Sequence, residues 1–159
     1  MTIKRIAVYC GSSMGADPAF AEMARSLAHE MVARGIDLVY GGGRLGLMGV
    51  MADTVLEAGG KVYGVIPAAL VDKEVAHRGC TELHQVAGMH ERKARMTELC
   101  DGFVVHGFWR GLDLFMDHVS DSGFLSQARR EQLLHAHTPS EAIDRLDAAA
   151  AAATQGMVW

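Results

Sequence analysis

Val39-Tyr40-Gly41-Gly42-Gly43-Arg44-Leu45-Gly46-Leu47-Met48-Gly49 runs from an apolar stretch through three consecutive glycines into residues that read as the start of a helix. The order is strand, bare backbone, helix N-terminus. Glycines in that place let main-chain N–H groups approach a ligand closely, and the helix dipole adds partial positive charge, so the natural guest is an anion such as phosphate. No Gly-Lys-Ser/Thr follows, so this is not a Walker loop, and the glycine spacing only loosely echoes the dinucleotide fingerprint. Two readings stay open from this stretch: a phosphate cradle, or glycines that permit a tight turn and close helix packing.

The same design recurs on either side. Ile3 to Cys10 is a continuous apolar run of the kind that fits a strand covered on both faces, and Gly11-Ser12-Ser13 follows it. Asp17-Pro18 reads as N-cap and first helical position, and Phe20, Met23, Ala24, Leu27, Met31 and Val32 then fall at helical spacing until Gly35. Ile36 to Tyr40 is the second strand and Leu47 to Ala58 the second helix, stopped by Gly59-Gly60. Val62 to Ile66 is the third strand, ended by Pro67; a polar stretch, Asp72 to Gly79, precedes a short strand within Thr81 to Val86. Met89 to Leu99 is a helix and Gly102 to Val105 the next strand. Thr138-Pro139-Ser140-Glu141 is a capping box that opens an Ala-rich helix to about Ala153.

This alternation predicts an α/β fold, a doubly wound parallel sheet, with residues 1–159 as one domain. Ligands of such sheets sit outside the carboxyl ends of the strands, which places Gly11 to Ser13, Gly41 to Gly43, Pro67 and His106 on one rim. Gly11, Ser12, Gly42 and Gly43 are therefore candidate substrate contacts.

Composition narrows the guest. The net charge of −4 and the lack of any Lys/Arg cluster argue against nucleic acid and against an anionic membrane surface, leaving a small molecule. The apolar residues from Ile6 to Cys10 are too few for a signal-peptide core or a membrane span, so a cytoplasmic location is expected. Cys10, Cys80 and Cys100 are odd in number and far apart, which reads as free, mostly buried thiols. His135-x-His137 is the one spacing that could ligate a metal, and no structural metal is expected. Asp113 and Asp117, four apart on a helix, read as a solvated face.

On the helix from Met89 to Leu99 successive residues turn by about 100°, so Met89, Arg92, Met96 and Leu99 fall in one stripe and Arg92 lies on the apolar face. A guanidinium there must be paired. Its partner is either a phosphate at the rim or an acid such as Glu74 or Asp101, and Lys93 borders the same place.

Tyr9-Cys10-Gly11-Ser12-Ser13, Tyr40-Gly41-Gly42-Gly43-x-x-Gly46-Leu47-Met48-Gly49, Gly64-Val65-Ile66-Pro67 and Gly88-Met89-His90-Glu91-Arg92-Lys93-x-x-Met96 together resemble the LONELY GUY (LOG) family of cytokinin-activating phosphoribohydrolases. Many members carry an old label of lysine decarboxylase, yet no lysine here is set up with a recognisable pyridoxal-phosphate site, and no cofactor is expected. The resemblance implies that residues 1–159 form a Rossmann-like nucleotide-binding domain, and that the protein is a homodimer that hydrolyses the N-glycosidic bond of AMP or N6-substituted AMP to free base and ribose 5-phosphate. By position it also implies that Glu74, Arg92 and Lys93 bind substrate and that Arg92 is catalytic. The transition state of such a reaction resembles an oxocarbenium ion, so a carboxylate and a base that activates water are required.

One part of the family pattern is missing. After the strand matching Gly102 to Val105 the family carries Pro-Gly-Gly-x-Gly-Thr-x-x-Glu, whose glutamate is catalytic, then a helix and another strand. Here His106 follows Val105 directly, and the only prolines are Pro18, Pro67 and Pro139. The fold is thus expected to be one strand-helix unit, roughly 30 residues, shorter than the family. A catalytically impaired paralogue that only binds a nucleotide phosphate is the alternative, as is a subunit that pairs with an intact relative.

Overall fold

Alternate side chains of the strands face opposite sides of a parallel sheet, and both sides are apolar, so helices must cover both. The computed structural model describes residues 3–73, 75–105 and 110–155, with only the backbone given for residue 110 and residues 153–155. Strands β1 (Arg5–Tyr9), β2 (Asp37–Tyr40), β3 (Val62–Pro67), β4 (Glu82–Val86) and β5 (Gly102–Val105) pair in the order β4-β3-β2-β1-β5, every pair parallel. Helices α1 (Ala19–Ala33), α2 (Gly46–Glu57), α3 (Met89–Leu99), α4 (Arg110–Asp121), α5 (Gln127–Arg130) and α6 (Pro139–Gln155) complete the described chain.

Register explains the two layers. Ile6 pairs with Leu38 and Leu38 with Val62, and all three join Leu27 and Met31 of α1, Met51 and Val55 of α2 and Ile143 of α6 in one core. One position along, Ala7 pairs with Val39 and Val39 with Tyr63, and these face the other way with Val65 against Met96 of α3. Burial of each large aliphatic side chain contributes about 1.5–3 kcal/mol, so the sheet is held from both sides. The doubly wound α/β reading is what the structure shows.

Differences from the sequence reading are local. Pro67 is the last residue of β3 rather than the first beyond it, opposite Val86 at the end of the ladder. Asp17 serves the start of α1 as expected, its carboxylate accepting the Ala19 N–H at 2.8 Å. The capping box of α6 is made by Thr138 Oγ1, which accepts the Glu141 N–H at 3.2 Å, and by Glu141, which reaches back to the His137 N–H at 2.8 Å. The three thiols are free and half-buried.

Asp113 and Asp117 are not simply a solvated face. Arg130 of α5, almost fully buried, donates to Asp117 at 2.8 Å and to Asp113 at 2.6 Å, and His135 Nε2 lies 2.9 Å from Asp113. The pairing ties α5 to α4, a tertiary contact that helical spacing alone does not disclose.

The rim of the sheet is what matters for a ligand. The chain winds outward from β1 to β4 and then crosses to the far side of β1 for β5, so the order reverses between β1 and β5. β5 is an edge strand, and on the α3 side its Phe103 and Val105 stand 43% and 52% exposed, with Phe103 stacked on Tyr9 at 6.0 Å. Among the described residues no helix is long and apolar enough to cross a membrane.

Candidate functional site

Arg92 lies in the first turn of α3 and is buried to 8% exposure beside Met96, on the face the sequence stripe assigned it. Its side chain runs to the carboxyl ends of β2 and β3. Nε donates to Val65 O at 3.0 Å, Nη2 donates to Gly41 O, and Nη1 approaches Met89 Sδ at 3.7 Å. The guanidinium therefore bridges the two strands just past Tyr40 and Gly64, their last paired residues. Hydrogen bonds from a charged donor contribute about 1.5–3 kcal/mol each, enough to fix the side chain in one place.

Gly41 is what makes room for it. A Cβ at that position would stand 3.1 Å from Arg92 Cζ and 2.9 Å from Met48 Sδ, inside normal contact distance. Gly42 has a different reason, being at φ +76° with the space for a Cβ already taken by Ile66, Leu83 and the Val65 backbone at 3.1–3.2 Å. Gly46 lies at φ +60° against the Ser12 and Ser13 backbone, and Gly49 against the Arg44 carbonyl. Gly41, Gly46 and Gly49 thus sit in close packing and Gly42 in a tight turn.

The two glycine-bearing loops touch. The Met48 N–H donates to Gly11 O at 3.2 Å and the Leu47 N–H to Ser13 O at 3.4 Å, so two amides of the α2 N-terminus are satisfied within the protein. Gly11 and Ser12 themselves are exposed on the rim, whereas Gly42 and Gly43 are buried. Lys93, next to Arg92, is exposed. Glu74 and His106 lie outside the described residues. Asp101, the other acid considered for Arg92, instead holds the start of β1, its Oδ2 accepting the Lys4 and Arg5 N–H groups at 2.8 and 2.9 Å.

Residues 75–77, within the stretch read from the sequence as polar, form a strap along the Gly42-Gly43 loop. Residues 75–77 run antiparallel to residues 42–44: the Arg44 N–H donates to Val75 O, the His77 N–H donates to Gly42 O, each at 2.9 Å, and Gly43 pairs with Ala76. Val75 sits at φ +49°, a conformation that costs a β-branched residue on the order of 1–3 kcal/mol and persists only where its surroundings impose it. The strap is fastened by His77, 4% exposed, whose Nε2 lies 2.8 Å from Asp53 Oδ1 of α2. The pair is separated by 24 residues, so no local spacing announces it.

Charge at the rim is felt by its neighbours. Burial raises the Tyr9 hydroxyl above the usual tyrosine range, Cys100 adds to the rise, and the positive charge of Arg92 opposes it. Burial alone pushes the Cys10 thiol up to about 12, so it is no nucleophile at neutral pH. Tyr40, deeper under the same rim, is raised chiefly by burial and then by its hydrogen bond with Cys80 at 3.5 Å.

Known proteins agree with this architecture. Residues 48–107 match the family model described as "Possible lysine decarboxylase". The cytokinin riboside 5'-monophosphate phosphoribohydrolase LOG5 of Arabidopsis thaliana is 35% identical, aligning over 91% of this chain and 78% of its own. LOG of Oryza sativa subsp. japonica is 34% identical, over 98% and 78%. The LOG5 alignment runs to 177 positions although 91% of this chain is only about 145 residues, so roughly 30 positions have no residue here. Among solved structures, the molybdenum cofactor binding protein of Rippkaea orientalis superposes with a TM-score of 0.66 at 16% identity, covering 91% of this chain and 96% of its own. The Moco carrier protein of Chlamydomonas rheinhardtii gives 0.62 at 17%, covering 91% and 98%. At such identities the likeness is one of fold, whereas the sequence identity to the plant enzymes over most of both chains carries more: this chain belongs to the LOG family of cytokinin riboside 5'-monophosphate phosphoribohydrolases.

Proposed function

We propose that the chain binds a nucleoside 5'-monophosphate, AMP or an N6-substituted AMP, at the rim and hydrolyses its N-glycosidic bond to free base and ribose 5-phosphate. The observation that carries this reading is the buried Arg92, an inward-pointing guanidinium set at the carboxyl ends of β2 and β3. In this reading Arg92 anchors the phosphate and takes part in catalysis, while Glu74, Lys93, Gly11, Ser12, Gly42 and Gly43 contact substrate. Residues 1–159 act as one nucleotide-binding domain, cytoplasmic, without cofactor. A homodimer is supported by α4, whose apolar stripe leaves Leu112 and Phe115 50% and 58% exposed. Liquid chromatography of adenine released from AMP or isopentenyl-AMP tests the activity. Release that disappears in Arg92→Ala is expected; no release above buffer rejects hydrolysis.

A second reading, a paralogue that binds the nucleotide without turning it over, is favoured by two observations. The relatives carry roughly 30 aligned positions absent here. Among the described residues nothing pairs with the outer edge of β5, where the missing unit would attach, and Phe103 and Val105 are exposed. Micromolar AMP binding in calorimetry with no product selects this reading over the first.

A further inference from the structure

We propose that Asp53 and His77 are positioning residues for the nucleotide site: together they hold the 75–77 strap in one arrangement on the glycine loop and so fix the groups presented at the rim. This rests on the nucleotide reading above. Neither residue is placed at the reacting atoms, and both act through the backbone they hold.

The tautomer follows from the partners. The Gly79 N–H donates to His77 Nδ1 at 3.1 Å, so Nδ1 is an acceptor and the ring proton sits on Nε2, from which it is donated to Asp53 Oδ1 at 2.8 Å. Both ring nitrogens are used, as burial of an imidazole requires. Gly79 permits the closure, because a Cβ there would stand 2.9 Å from His77 Cε1. Asp53 is anchored on α2, the helix that begins directly after the glycine loop, and its carboxylate also lies 4.0 Å from Arg44 Nη2. The imidazole thus links the strap to the one helix whose N-terminus is built from the same loop.

Two consequences reach the site. First, the His77 N–H donates to Gly42 O, one residue from Gly41 O, the acceptor for Arg92, so the strap and the guanidinium grip successive carbonyls of one short loop. Loosening the strap frees the loop that seats Arg92. Second, Val75 is held at φ +49° by a strap whose far end is the His77 clasp. Strain of that kind at a site is stable only while its surroundings over-determine it.

Three variants test the role. Asp53→Ala and His77→Ala remove the clasp, whereas Asp53→Asn keeps an oxygen in place to accept the same Nε2–H. Amide hydrogen exchange at backbone positions 77 and 44, the two strap donors, is expected to speed up at least tenfold in both alanine variants and to stay within about threefold of wild type in Asp53→Asn. Titration calorimetry with AMP is expected to show at least a tenfold weaker Kd in the alanine variants, restored to within about threefold in Asp53→Asn. Exchange unchanged in Asp53→Ala overturns the clasp. Unaltered AMP affinity in folded Asp53→Ala overturns the positioning role while leaving the nucleotide reading intact. No AMP binding by the unaltered protein refutes the nucleotide reading itself.

Discussion

Gly41→Ala is the sharpest way to move Arg92 without changing its charge. The backbone at Gly41 is not among the positive-φ glycines, so alanine meets no conformational penalty there. What it meets is side chain: a Cβ 3.1 Å from Arg92 Cζ, closer still to its Nη2, and 2.9 Å from Met48 Sδ. Both are ends of flexible chains, so the fold survives and the guanidinium is displaced. The lost charged hydrogen bond to Gly41 O costs about 1.5–3 kcal/mol and overpacking against Met48 about 1 kcal/mol more. Reduced freedom of the unfolded chain offsets about 0.4–1 kcal/mol of this. The net is about 1.5–3.5 kcal/mol, or a fall in Tm of roughly 3–14 °C for a chain of this size. Urea unfolding followed by circular dichroism at 222 nm measures it. Gly88→Ala is the control, since nothing lies within 4 Å of a Cβ there, and it is expected to stay within about 0.5–1 kcal/mol of wild type. A Gly41→Ala protein as stable as the control would show that Arg92 is not seated against that carbonyl.

Other perturbations read other parts of the molecule. Arg130→Met leaves the Asp113 and Asp117 carboxylates without their shared cation; because both are partly exposed the cost is expected at about 1–2 kcal/mol, measured by the urea midpoint, and no change would show that the tie between α4 and α5 contributes nothing. Cys10, with its thiol pushed up to about 12 by burial, carries far less thiolate at pH 8 than an ordinary cysteine. Iodoacetamide at pH 8 should therefore alkylate it last of the three thiols, and mass spectrometry showing it first would contradict that burial. Phe115→Asp puts a charge on the exposed stripe of α4 and is expected to give a monomer in sedimentation velocity; a wild-type protein already monomeric would remove the proposed homodimer.

Much of the fold was legible because parallel strands buried on both faces read as continuous apolar runs. The ranges Met89 to Leu99 and Gly102 to Val105 are those of α3 and β5, since a periodic helix bounded by Gly88 and a four-residue apolar strand leave little choice. The helix Gln127–Arg130 was missed because four residues are too few to show a period. Arg92 could be found because a cation in an apolar stripe contradicts its own helix. His77 and Asp53 could not, since their pairing exists only once α2 and the strap have been brought together. The three glycines illustrate a limit of another kind. Bare backbone serves equally to admit a ligand, to let a neighbouring side chain in, or to adopt a positive φ; Arg92 and Met48 crowd Gly41, and Gly42 is at φ +76°.

The account stands or falls on whether a phosphate is recognised at Arg92. Calorimetric titration of the intact protein with AMP and with adenosine, repeated on Arg92→Met, asks this directly, because the two ligands differ only in the group that Arg92 is held to bind. AMP is expected to bind at least tenfold more tightly than adenosine, with the difference lost in Arg92→Met. Equal affinity for the two ligands in the unaltered protein, or a preference for AMP that survives loss of the guanidinium, would contradict it.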